Sequence, residues 1–209
     1  MTGTPSRRRK GRPLSFDRNV ALRAAMLTFW RDGYETTSVG DLTKAMGITA
    51  PSLYAAFGDK RRLFLEAVRL YAGEPEDIAR AISDTPTAYE AARNLLTTAA
   101  TTYTGETTPK GCLLASATAS GSAASRDVQY AIAEIRRSIA VELETRIAND
   151  ILQGLLPPDT RAADLAHHAL AVMQGMSVLA RDGASRQELM AIVVTAMKAW
   201  PRADEPRPT

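Results

Sequence analysis

"SVGDLTKAMGITAPSLYAAF", residues 38–57, decides the fold. It holds two short apolar patterns on either side of a glycine. Leu42 and Met46 lie on one face of the first helix. Gly47 permits a tight turn where a left-handed backbone angle is needed. Ile48 points back to the core, and the Thr49 hydroxyl is placed to cap a second helix. Pro51 falls in the first turn, where a missing N–H costs nothing. Leu53 and Phe57 face inward, while Ala50, Ser52 and Ala55 form the opposite face. Two short helices joined by a glycine turn, the second with a small-residue face, are the pattern of a helix-turn-helix. Its second helix enters the major groove of DNA. Short side chains let that helix approach base edges; alanine methyls meet thymine methyls, and Ser52 can donate or accept.

Outward from this motif the chain reads all-α. Alternating β-branched runs are nearly absent, and Gly and Pro punctuate helical patterns. The spacing predicts a helix over 17–32, with Asp17 at its start and Gly33 as its C-cap. Short helices follow at 39–46 and 50–57, then one from about 59 with Leu63, Phe64, Ala67, Val68 and Tyr71 on one face. Six more are predicted near 75–84, 87–104, 112–121, 125–154, 160–182 and 186–199, a helical bundle. The organisation read from this is a flexible basic arm (1–13) and a helix-turn-helix DNA-binding domain of three helices (14–60). A ligand-binding and dimerisation domain (61–200) and a loose tail (201–209) follow.

The charge divides the same way. Residues 1–62 hold 12 basic and 5 acidic residues, a net +7; residues 63–209 hold 14 and 18, a net −4. A basic front on an acidic remainder fits a nucleic-acid-binding module joined to something else. No run of about 18 apolar residues marks a membrane span. The basic N-terminus leads into no apolar segment of a secretory signal, and the single Cys112 forms no internal disulfide. These features lead to the expectation of a cytoplasmic protein.

"ALRAAMLTFWRDGYETTSVGDLTKAMGITAPSLYAAFGDKRRLF" resembles the tetracycline-repressor (TetR/AcrR) family of bacterial transcription regulators over about residues 15–72. The landmarks are Ala25, Phe29, Gly33-Tyr34, Thr37, Leu42, Gly47, Leu53-Tyr54, Phe57, Lys60 and Leu63. Thr43 departs from the family, which usually has Ala there between the two helices. The resemblance implies that Thr37, Tyr54 and Lys60 grip phosphates, and that residues 50–52 set operator choice. A hydroxyl, a phenol and an ammonium are suitable phosphate partners, and Lys60 lies at a helix start whose dipole favours an anion. The alternative for Tyr54 is a core aromatic. The DNA-contact set expected is therefore Thr37, Thr49, Ala50, Pro51, Ser52, Tyr54, Ala55 and Lys60, with Arg9, Lys10 and Arg12 of the arm. "RRRKGRP", residues 7–13, resembles an AT-hook-like segment that enters a narrow minor groove; the alternative is general attraction to phosphates.

By resemblance the back domain binds a small-molecule effector and forms a homodimer through the helices near 160–182 and 186–199. Both carry many small and apolar residues, which suits either a four-helix bundle between two chains or an internal core. "PKGCLLASATASGSAAS", residues 109–125, either lines a pocket or permits close helix packing. Candidate pocket residues are Tyr103, Cys112, Leu113, Leu114, Met173 and Gln174. Cys112 follows Lys110 near a helix start, which points to a reactive, redox-sensing thiol or to a plain small buried residue. His167 and His168 are adjacent and diverge on a helix, so no metal site is expected, nor any cofactor. Glu134, Arg136, Arg137, Glu142 and Glu144 read as a solvated face. No nucleophile elbow or phosphate loop is visible. The reading is a ligand-responsive repressor on a double-stranded, near-palindromic operator. Its rivals are a ligand-independent or redox-responsive DNA-binding regulator and an enzyme built on the bundle.

Overall fold

The computed structural model describes residues 16–118 and 125–201. The arm at 1–13, the run 119–124 and the tail from 202 lie outside the described residues, as do the arm's Arg9, Lys10 and Arg12. Ten helices and no strand occur among the described residues: α1 (Arg18–Asp32), α2 (Val39–Met46), α3 (Ala50–Phe57), α4 (Lys60–Ala72), α5 (Pro75–Ser83), α6 (Ala88–Tyr103), α7 (Leu113–Thr118), α8 (Arg126–Leu152), α9 (Ala162–Arg181) and α10 (Arg186–Met197). No helix among the described residues is long and apolar enough to cross a membrane.

Side-chain caps set most of the front boundaries. Asp17 accepts from the N–H groups of Asn19 and Val20 at 2.8 and 3.1 Å, starting α1. Ser38 and Asp41 form a reciprocal capping box at the start of α2, and Gly47 ends it in the left-handed region at φ 65°, ψ 31°. Thr49 caps α3 and Asp59 caps α4. The apolar faces of these helices meet in one cluster. Phe29 of α1 packs edge-on against Phe64 of α4 with ring centroids 5.1 Å apart, and Tyr34 lies 4.9 Å from Phe64. Leu42, Leu53 and Phe57 are buried beside them.

The back of the molecule is a bundle in which α8 packs on α9 and α5, and α6 packs on α9 and α10. α8, with 27 residues, is about 40 Å long and spans the bundle. Buried Asp150 near its end joins two segments: its carboxylate accepts from the N–H of Ala88 at 2.6 Å and pairs with Arg146 Nε at 3.2 Å. That satisfies an orphan donor at the start of α6.

The front and back share one core. α7 lies against α1, and the small residues of 109–118 serve that packing: the Ser116 carbonyl is so close that a Cβ on Gly33 would sit 3.2 Å from it. Trp30 Nε1 of α1 donates to the Gly111 carbonyl at 2.9 Å, and Arg181 Nη2 of α9 donates to the Trp30 carbonyl at 3.1 Å. α1 is thereby held to both the α7 start and the α9 end.

Candidate nucleic-acid interface and effector cavity

α3 stands at the surface because only one of its faces is apolar. Leu53 and Phe57 are buried and anchor it, while Thr49, Pro51, Tyr54 and Ala55 are exposed. Ala50 and Ser52 are half-buried. Arg18 braces the helix from behind: its guanidinium lies 4.4 Å from the Phe57 ring centroid and pairs with Glu66 at 2.7 Å. Apart from Tyr54, the outward face carries only short side chains. Its hydroxyls are coupled, with Thr49 Oγ1 and Ser52 Oγ 3.0 Å apart in a mutual hydrogen bond. The Ser52 hydroxyl is thus engaged at the start of its own helix.

Tyr54 is 49% exposed with its ring in solvent, so the core-aromatic alternative does not describe it. Lys60 is half-buried; its ammonium lies 4.5 Å from the Tyr34 ring centroid and 3.5 Å from the Glu35 carbonyl. Burial pulls its pKa below the usual lysine value, partly offset by Glu35. In this structure Lys60 is stowed against Tyr34. Thr43, the departure from the resembled pattern, is accommodated simply: its hydroxyl donates to the Gly40 carbonyl at 3.0 Å.

Thr37 corrects one expectation. It is 1% exposed, and its hydroxyl donates to the Gly33 carbonyl at 2.5 Å. Its side chain faces inward, away from any phosphate. The chain turns at Gly33 and folds Thr37 back onto it, leaving the neighbours Thr36 and Ser38 exposed. Their hydroxyls engage the Asp32 carbonyl and the Asp41 carboxylate.

Behind the α1–α4 unit lies a cavity of about 290 Å³ between α4, α5, α6, α7, α8 and α9. Of the residues expected there, Tyr103, Cys112, Leu114, Met173 and Gln174 line it. Leu113 does not; it is fully buried in the core, because neighbours on the one-and-a-half-turn α7 point in different directions. Tyr71, Asn94 and Arg136 line the cavity without having been expected. Arg136 corrects the solvated-face reading of its segment: it turns inward and Nη2 donates to the Leu114 carbonyl at 3.0 Å. The signal was present, since Arg136 is spaced four from Ile132 and three from Ile139, both buried.

Cys112 is 3% exposed, and the Tyr71 hydroxyl donates to its Sγ at 3.6 Å. The Lys110 ammonium is engaged elsewhere: its Nζ donates to the carbonyls of Thr104 and Gly105 at 3.2 and 3.0 Å. Burial, reinforced by Cys112, pushes the phenols of Tyr71 and Tyr103 far above the ordinary tyrosine range, so both stay protonated. Tyr71 is also the link forward, since its ring packs edge-on against Trp30 at 4.7 Å.

On α9 and α10 the inward residues Ala166, Ala169, Met176, Leu189 and Val193 are buried within the chain. The outward faces carry a second apolar line. Ala171, Gly175 and Val178 on α9, and Ala191 and Val194 on α10, are exposed at spacings of three or four. Val178 and Val194 are 57% and 58% exposed. Nothing lies within 4 Å of where a Cβ on Gly175 would sit.

Residues 21–67 match the family model for bacterial regulatory proteins of the tetR family. The chain is similar to the HTH-type transcriptional repressor ComR of Escherichia coli (strain K12), 32% identical over 194 residues, or 92% of each chain. It is also similar to the HTH-type transcriptional repressor BdcR of the same strain, 32% identical over 192 residues, covering 90% of this chain and 91% of that one. Among solved structures it resembles a cysteine mutant of the TetR family transcriptional regulator CifR complexed with 26-bp double-strand operator DNA. The TM-score is 0.84 at 38% identity, over 91% of this chain and all of that one.

Proposed function

The chain belongs to the tetR family of bacterial regulatory proteins, and on that premise we propose that it is a transcriptional repressor. It binds a near-palindromic double-stranded operator as a homodimer and lets go when a small molecule enters the cavity behind α4. The observation that carries the reading is α3: a capped, eight-residue helix anchored by Leu53 and Phe57, with a small, exposed outer face. The repressor names of full-length relatives and a structural neighbour solved on operator DNA support it.

In this reading residues 14–60 carry the DNA contacts and 61–200 the effector and dimer contacts, with α4 as the joint. Pro51, Ala55 and Ser52 face the bases, and Thr49, Tyr54 and Lys60 the phosphates. The arm at 1–13 adds Arg9, Lys10 and Arg12 on the flanking DNA. The lines Ala171–Gly175–Val178 and Ala191–Val194 meet their copies across a two-fold axis, small residues allowing close approach. The chain then acts by binding and not by turnover. The effector lowers operator affinity by favouring a different spacing of the two DNA-binding units, which requires tighter binding to that state. Replacing Ala55 with Asp puts a charge on the reading face. Fluorescence anisotropy on operator DNA selected from a random pool should show binding by the wild type and its loss in Ala55→Asp. Equal binding by both would overturn the assignment of α3.

A second reading has operator release triggered by oxidation of Cys112. The position of the thiol in the cavity wall against Tyr71 favours it. Operator release by peroxide in the wild type, absent in Cys112→Ser, would support it; identical responses would remove it.

A further inference from the structure

We propose that the ligand of the cavity behind α4 is a small, largely apolar molecule carrying a single anionic headgroup of the carboxylate class. The proposal rests on the reading of this cavity as an effector site. Its volume of about 290 Å³ suits a compact molecule, and much of its wall is apolar, with Leu95, Ile139 and Met173 on three different helices. The charge on that wall has one sign. Arg136 is the only basic residue lining the cavity among the described residues, and no Asp or Glu lines it. A guanidinium keeps its charge in any protein setting, and this one is close enough to act electrostatically on the Tyr103 phenol.

The other polar groups do not change that sign. Tyr71 and Tyr103 are neutral phenols, and Cys112 Sγ already accepts from the Tyr71 hydroxyl. The side-chain amides of Asn94 and Gln174, also on the wall, make no hydrogen bond to the described residues and can donate to a ligand oxygen. An ammonium ligand would lose its hydration and meet only positive charge. A dianion would leave one charge unbalanced against a single arginine. One negative charge on an apolar body matches the wall.

Isothermal titration of the full-length protein at pH 7 with octanoate, 1-octanol and octylamine tests this, because the three share a chain and differ in headgroup charge. Octanoate should bind about tenfold tighter than 1-octanol, and octylamine no tighter than 1-octanol. Arg136→Gln should erase the octanoate advantage and leave 1-octanol within about threefold, whereas Arg136→Lys, which keeps the charge, should retain most of it. If removing the Leu114 contact prevents Arg136→Gln from folding, the wild-type ratio and Arg136→Lys still decide. Equal affinity for octanoate and 1-octanol, or tighter binding of octylamine, overturns the anion assignment and leaves the cavity as an effector site. No binding of any of the three overturns both.

Discussion

Trp30 Nε1 donates to the Gly111 carbonyl at 2.9 Å, joining the first DNA-domain helix to the turn that enters α7, 81 positions along the chain. Through the Trp30 ring the same residue touches Tyr71, whose hydroxyl reaches Cys112 in the cavity wall. Tyr71 itself lines the cavity, so cavity and first DNA-domain helix are one ring contact apart. Trp30→Phe keeps an aromatic in place but leaves the buried Gly111 carbonyl without its donor. It should cost about 1–3 kcal/mol of stability, read by urea denaturation. It should also reduce the effect of an effector on operator affinity while leaving effector-free affinity nearly unchanged.

Gly111 occupies a position no other residue fits. Its φ is 77°, and an added Cβ would stand 2.8 Å from Arg181 Cγ and from the Ser177 carbonyl. The side-chain atom can move, but the carbonyl belongs to α9 and cannot. Gly111→Ala should destabilise the fold by about 1–3 kcal/mol or more. Thermal melts will show it, with a larger drop than for Gly175→Ala, where the added methyl has open space in one chain.

Asp150 is buried between Arg146 and the start of α6. Asp150→Ala removes the acceptor of the Ala88 N–H and the carboxylate partner of Arg146, whose remaining contacts are the Ser83 and Pro86 carbonyls. A loss of about 3–5 kcal/mol in denaturant titration is expected. The operator sequence preferred by any folded protein should stay the same, since the site is far from α3.

Asp41 tests the start of α2. Its hydrogen bonds from the Ser38 hydroxyl and backbone N–H hold its carboxyl below the usual value of 3.8, with the side-chain bond the larger cause. A depressed carboxylate pKa contributes stability that is present above the unfolded value, here about pH 4 and up. That contribution is lost as pH falls through the lower folded value. In Ser38→Ala the Asp41 pKa, followed by NMR titration, should rise toward 3.8.

Tyr54 and Lys60 are assigned to phosphates, which carry affinity but no sequence information. Tyr54→Phe and Lys60→Gln should each weaken binding to all DNA alike. For Lys60→Gln the slope of log affinity against log salt should fall by about one. A change in which operator bases are preferred would contradict the assignment.

Most of α2 and α3 was legible in the sequence because their ends are written in side chains. Ser38, Asp41 and Gly47 bound one helix, and Thr49, Pro51 and Gly58 the other; both run over the expected residues. Thr37 was not legible. In the run Thr36-Thr37-Ser38 all three residues offer a hydroxyl, and only the turn at Gly33 decides which one folds inward. Leu113 and Leu114 pose the same problem on α7, where the helix rotation is set by packing on α1 rather than by any local pattern. Arg136 was misread through its charge although its spacing from Ile132 and Ile139 placed it inward. In the sequence the outer line on α9 and α10 shows only as general apolar richness, because an inner core face and an outer partner face use the same residue types.

In the proposed function two copies of this chain read a two-fold DNA site with α3. Anisotropy titrations on the selected operator and on its isolated half-site, at one salt concentration, test it most directly. Binding to the full site should be at least about a hundredfold tighter than to the half-site, with a stoichiometry of two chains per site or a multiple of two. Equal affinity for both, or one chain per full site, would contradict it.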